Sequence, residues 1–240
     1  MPFSDSYYDL IQGHAAGENL HKDHRQRMRE RFLSEGLDTF APHNILELLL
    51  FYSIPQRDTN EIAHALLREF KTIPGVFDAA FEQLVRIDGV KDNTATLLKL
   101  IPALSRIYSV QKDADATNLN TLDKLGKFLC KQFVGITVET VLMLSLDNKR
   151  DLIDCAVLHR GSVNSAQVSV RKIAEIAIAR NASAVALAHN HPSGLPIPSS
   201  EDVATTMRIK RALALLEIDL LEHVIVAGER YMGICEKMGE

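Results

Sequence analysis

Apolar residues recur at three- and four-residue intervals through the first half of the chain. Leu46, Leu49 and Leu50 share one helical face, as do Ile62, Leu66 and Phe70, and Leu97, Leu100 and Leu104. Proline or glycine interrupts these runs at Pro42, at Pro55 to Thr59, at Pro74-Gly75 and at Asp88-Gly89. Residues 22–108 are therefore predicted to form a small bundle of roughly four or five short helices. Residues 1–21 read as a polar, flexible N-terminal arm, and residues 109–120, which lack a core pattern, read as a linker. The pattern then changes. Leu122 to Phe133 reads as a helix, and Thr140 to Asp147 and Leu152 to His159 read as strands around the turn Asp147-Asn148-Lys149-Arg150. Ile173 to Arg180 is helical, and Ala184 to Ala188 is a short, wholly apolar strand. Val203 to Leu216 is a helix with Met207, Leu213 and Leu216 at core-like positions. Glu222 to Ala227 is a strand, and Gly228-Glu229-Arg230 turns into a last one. Over residues 121–240 this alternation predicts an α/β or α+β domain, a mixed sheet flanked by helices on both faces.

Composition narrows the class without naming it. The 240 residues are 46% hydrophobic and 24% charged, as in soluble globular proteins, and are enough to bury a core without disulfides. The longest apolar run, around Ile45 to Ile54, is broken by Glu47 and is too short to span a bilayer. Met1-Pro2-Phe3-Ser4-Asp5 has neither a basic start nor an apolar leader, so a cytoplasmic protein with no membrane association is expected. Cys130, Cys155 and Cys235 are widely spaced and form no metal or disulfide pattern, which suits a reducing compartment. Cys130 and Cys155 read as small buried apolar residues. A formal net charge of -4 excludes a strongly basic nucleic-acid binder. The local basic run of Lys22, Arg25, Arg27, Arg29 and Arg31 reads as a solvated helix face.

One segment carries chemistry. His189 and His191, two apart at the end of a buried strand, point to the same side because strand side chains alternate. A Pro/Gly loop follows, and a helix starts near Ser199 with Asp202 in its first turn, placed to return toward the histidines. Two imidazoles and a carboxylate leave a fourth tetrahedral position open, as in catalytic zinc sites. Each residue also has an ordinary reading. Ser199-x-x-Asp202 is a helix capping pattern, an acid in a first helical turn suits the helix dipole, and paired strand histidines can simply be hydrogen-bonded.

His189-x-His191, seven residues, then Ser199-x-x-Asp202 resembles the JAMM (MPN-type) zinc metalloprotease motif, and His189-Asn190-His191-Pro192-Ser193-Gly194 is similar to the RadC family in particular. The resemblance extends to Gly161 to Arg180, to Leu221 to Val226, and to Glu47-Leu48-Leu49-Leu50 and Ile87-Asp88-Gly89-Val90, covering most of residues 25–240. It implies a small N-terminal helical bundle followed by a JAMM-type domain. It also implies one Zn2+ per chain on His189, His191 and Asp202, with Ser199 supporting the bound water or oxyanion. Glu139, just before the strand Thr140 to Met143, matches the family's general base. Glu175 and Glu201 are competing acids that read as solvent-facing helix residues. His223, in a strand, could approach the site but reads first as a satisfied structural histidine.

The resemblance implies a zinc-dependent metallopeptidase-like hydrolase attacking a peptide or isopeptide bond. The alternative is a DNA-associated, repair-linked binding protein with a structural or vestigial zinc site. A nuclease is disfavoured because no basic cluster lies near His189 to clamp phosphate. Leu84 to Ala95 resembles a helix-hairpin-helix, in which a glycine hairpin brings backbone amides to a DNA phosphate. Here Gly89 is present, Lys91 replaces the second glycine, and Asp88 and Asp92 add negative charge. The segment therefore also reads as a plain tight turn, with weak DNA contact as the corresponding partner expectation.

Overall fold

The structure is a computed structural model that describes residues 24–112, 118–161, 169–192 and 194–237. The arm assigned to residues 1–21, part of the linker (113–117) and residues 162–168 lie outside the described residues. Internal contacts divide the chain into two units, Met1–Ile101 and Pro102–Glu240.

The first unit is helical: α1 (residues 24–35), α2 (Pro42–Leu50), α3 (Asn60–Phe70), α4 (Ile73–Asp78), α5 (Phe81–Leu84) and the start of α6 (Asp92–Lys112). Leu46, Leu50, Ile62, Leu66, Val76, Leu84, Ala95 and Leu98 meet in one core. Several expectations change. Pro74 does not break a helix but sits in the first turn of α4, where its missing amide costs nothing, and Thr72 caps that turn by accepting from the Gly75 amide at 3.0 Å. In α6, Leu100 and Leu104 are exposed, and the buried positions are Thr94, Ala95 and Leu98. The helix continues through Ser109 to Lys112. The hairpin before α6 has Gly89 at φ +84°, and a Cβ there would stand 2.6 Å from the Ile62 Cδ1 methyl, so both backbone and packing require glycine.

The second unit contains α7 (Leu122–Gln132), β1 (Thr140–Leu146), β2 (Leu152–Arg160), α8 (Val170–Ala179), β3 (Ala184–Asn190), α9 (Ser200–Ala214), β4 (Asp219–Ala227), β5 (Arg230–Gly233) and α10 (Ile234–Lys237). Its five-stranded sheet runs β2-β1-β3-β4-β5. The β3–β4 pair is parallel and the other pairs are antiparallel, so the sheet is mixed as expected. Alternating side chains send Leu142, Leu144, Ala186, Ala188, Val224 and Val226 toward Leu125 and Leu129 of α7. The opposite parity sends Val141, Met143, Val185 and Leu187 toward Ile173 of α8 and Ile209 and Leu213 of α9. Burial on both faces explains why Ala184 to Ala188 of β3 is wholly apolar and why Val141 to Leu144 of β1 shows no polar alternation. Leu216, read as a core position, is exposed: α9 ends at Ala214, and the following turn takes Leu216 off the buried face. Cys130 and Cys155 are only half-buried against the α7 side of the sheet. No described helix is long and apolar enough to cross a membrane.

Candidate metal centre

The parallel β3-α9-β4 unit sets the N-terminus of α9 beside the carboxyl end of β3, the place where open sheets of this kind bind ligands. His189 lies opposite Val141 of β1 and Ile225 of β4. His191 lies just beyond the strand, held by its amide donating to the Val226 carbonyl at 2.8 Å. Period-two alternation keeps both rings on the α9 side, and their Nε2 atoms are 3.1 Å apart. Asp202 Oδ1 lies 3.5 Å from His189 Nε2. Among the described residues, His189, His191 and Asp202 are the one group of three or more His, Cys, Asp or Glu whose ligand atoms all lie within 4.8 Å of one another.

Asp202 serves two structural ends at once. Its Oδ2 accepts from the Ser199 hydroxyl at 2.6 Å and the Ser199 amide at 2.9 Å, while Ser199 Oγ accepts from the Asp202 amide at 3.1 Å. This closes a capping box on α9. Oδ1 is left facing His189. The capping reading and the ligand reading of this residue therefore do not compete, since each uses a different oxygen. Burial pushes the Asp202 carboxyl up, but the Ser199 hydrogen bonds and the nearby histidines outweigh it and hold the carboxyl below its usual value.

His189 is buried, and desolvation pushes it down to about 4, with His191 adding to the fall and Asp202 and Glu139 opposing it. At neutral pH the ring is thus uncharged, the form in which imidazole ligates metals. His191 Nδ1 lies 3.0 Å from the Leu195 carbonyl oxygen. A carbonyl only accepts, so the neutral His191 ring carries its proton on Nδ1 and keeps the Nε2 lone pair toward His189.

The donor set fits zinc. Zinc–nitrogen bonds of about 2.0–2.1 Å in a tetrahedron put neighbouring ligand atoms about 3.3 Å apart. The observed separations, 3.1 Å between the two Nε2 atoms and 3.5 Å from Nε2 to Oδ1, fall either side of that value.

The other predicted residues fall around this centre. Glu139 is half-buried immediately before β1, its carbonyl accepts from the Gly161 amide at 2.9 Å, and its charge acts on His189. The competing acids are turned elsewhere: Glu175 is exposed and paired with Arg171 at 2.7 Å, and Glu201 is exposed on α9.

Three residues were not assigned to the site by the sequence. Asn190, between the two histidines, points away from them. Its Oδ1 accepts from the Thr140 amide at 2.7 Å, and its Nδ2 donates to the carbonyls of Ile136 and Val138 at 3.2 and 3.1 Å, which fixes the segment leading to Glu139. His223 Nε2 lies 2.9 Å from His189 Nδ1, and Thr206 Oγ1 lies 2.6 Å from His223 Nδ1. Burial, with His189 nearby, pushes His223 down to about 3. The available signals were the parity of Asn190 and a Glu-His pair inside an apolar strand.

Residues 119–239 match the family model described as the RadC-like JAB domain. The chain is 35% identical over 227 residues to a UPF0758 protein of Fusobacterium nucleatum, covering 92% of this chain and 98% of that one. A UPF0758 protein of Pseudoalteromonas translucida is 32% identical, with 88% and 95% covered. A third, from Ruegeria pomeroyi, is 34% identical, with 85% and 92% covered.

Proposed function

The chain belongs to the RadC family, and from that premise we propose that His189, His191 and Asp202 bind one zinc ion and that the centre hydrolyses an amide bond of a peptide or isopeptide substrate. The observation that carries this reading is the convergence of two imidazole nitrogens and a carboxylate oxygen within 4.8 Å at the carboxyl end of β3. A zinc ion bound there lowers the pKa of water toward about 7 and polarises the scissile carbonyl.

The remaining steps fall to the protein. Glu139, close enough for its charge to act on His189, takes a proton from the attacking water onto its carboxylate and returns it to the departing amine nitrogen. The water oxygen bonds to the carbonyl carbon, the C–N bond breaks, and a carboxylate and an amine result. Ser199, now donating to Asp202 Oδ2 at 2.6 Å, holds that carboxylate in place and supplies a hydroxyl to the developing oxyanion when it rotates away. Asn190 positions Glu139 through the Ile136 and Val138 carbonyls.

Elemental analysis of the purified wild type and the H189A/H191A variant tests the metal centre. The expected result is about one zinc per chain in the wild type and none in the variant. A wild type that takes up no zinc when supplied with it at neutral pH overturns the reading. The loaded protein is then screened against peptide-linked and isopeptide-linked substrates. Glu139→Gln is expected to keep zinc and lose turnover.

A further inference from the structure

Behind the centre runs a hydrogen-bond chain that the proposed chemistry does not use. We propose that His223 and Thr206 are positioning residues that fix His189 as its Nδ1–H tautomer and thereby aim its Nε2 lone pair at the metal centre. The metal half of this inference rests on the reading above; the tautomer half does not.

The direction of the chain follows from what each atom can do. Thr206 Oγ1 is 2.7 Å from the Asp202 carbonyl oxygen. A carbonyl has no proton to give, so the single Thr206 hydroxyl proton lies between these two oxygens. The Thr206 oxygen is then free only to accept, and the nitrogen 2.6 Å away, His223 Nδ1, must donate to it. A neutral imidazole has one proton, so His223 Nε2 is an acceptor. His189 Nδ1, 2.9 Å from it, must carry the His189 proton. What remains on His189 is the Nε2 lone pair, which faces His191 Nε2 at 3.1 Å and Asp202 Oδ1 at 3.5 Å. The reverse order would require a proton on the Asp202 carbonyl.

The chain begins and ends on Asp202. Its main-chain oxygen sets the orientation of protons, and its side chain meets the ring so oriented. Asp202 and Thr206 are four apart on α9, and so share a face. The loop of contacts therefore ties β3, β4 and α9 together through side chains. Thr206 is fully buried and His223 is 5% exposed, so water does not readily replace either partner. Outer partners of this kind, hydrogen-bonded to a ligating histidine, typically account for about 10–100-fold in metal affinity.

Two readouts test the inference. Long-range proton–nitrogen correlation spectra of the histidine rings, taken on metal-free protein at neutral pH, report each tautomer directly. Zinc affinity is measured by competition with a chromophoric chelator, with circular dichroism as the check on folding. Wild type is expected to show Nδ1–H on both His189 and His223. Thr206→Val removes the anchor with little change in shape; it is expected to populate the Nε2–H form of His189 and to weaken zinc by about 10–100-fold. Thr206→Ser restores both readouts. His223→Leu, where it folds, weakens zinc at least as much.

Nε2–H on wild-type His189 overturns the proposal whatever the zinc content. Wild-type zinc affinity in Thr206→Val also overturns it. A wild type that shows Nδ1–H on His189 but takes up no zinc overturns the metal centre alone and supports the tautomer assignment.

Discussion

Each unit of this protein sets a histidine against a carboxylate that is buried or partly so, and the two arrangements differ in kind. In the helical unit, buried Glu47 receives Asn60 Nδ2 at 3.0 Å and Asn44 Nδ2 at 3.3 Å, with His24 Nε2 at 2.9 Å. Donors surround the acceptor, and the group joins α1, α2 and α3. In the sheet unit, acceptors face acceptors. The Nε2 atoms of His189 and His191 stand 3.1 Å apart with Asp202 Oδ1 alongside, and in the proposed tautomers the ring protons are directed outward to His223 and Leu195. Histidine beside carboxylate is thus no signal in itself. A cluster whose donors match its acceptors is a joint; one whose lone pairs converge calls for a cation.

The largest expected effect that sharpens this contrast is on turnover. Glu139→Gln should lower hydrolysis by about 10²–10⁴-fold while zinc content, read by elemental analysis, stays at the wild-type level. Glu47→Gln, in the matched cluster, should change neither.

Zinc itself should separate the two regions. At about 100 times its dissociation constant it adds about 2.7 kcal/mol to whatever it binds. Amide hydrogen exchange should slow around β3, β4 and α9 and remain unchanged around Glu47; equal slowing in both units would break the comparison.

Glu47→Ala works in the opposite sense. It removes the acceptor shared by the half-buried Asn44 and Asn60 amides and should lower the stability of the helical unit by about 1 kcal/mol, read by denaturant melts, with zinc affinity untouched. Ser199→Ala removes the cap of α9 and should cost about 1 kcal/mol.

A separate effect is on pH dependence. His189 in the metal-free fold sits at about 4, below the ordinary histidine value of 6.5. The unfolded chain therefore binds the extra proton first. Stability is fully present above pH 6.5 and falls as the pH drops from there toward 4. His189→Gln should flatten that slope in metal-free melts.

Much of this was legible in the chain. The helix-to-strand change after residue 121, the mixed sheet and the same-side placement of His189 and His191 all follow from local periodicity, which needs no knowledge of distant partners. The capping pattern at Ser199 and Asp202 was equally local, and it located the start of α9 within a residue. The errors have the same origin. Periodicity marks an apolar face but not how far its cover extends, so Leu100, Leu104 and Leu216 read as core and are exposed. Pro74 read as a breaker because sequence alone does not say whether a proline stands inside a helix or at its first turn.

His223 shows the boundary most clearly. It lies 34 positions from His189 and reads as an ordinary strand histidine. Its role depends on the parallel register that sets His223 beside Leu187, one step along the same face from His189, and on α9 bringing Thr206 against it. The sequence by itself determined which residues could ligate and on which side of their own strand they stand, because those are properties of a single element. Only the tertiary structure decided which nitrogen of each ring faces the centre, because a proton's place on a neutral imidazole is set by partners on other elements.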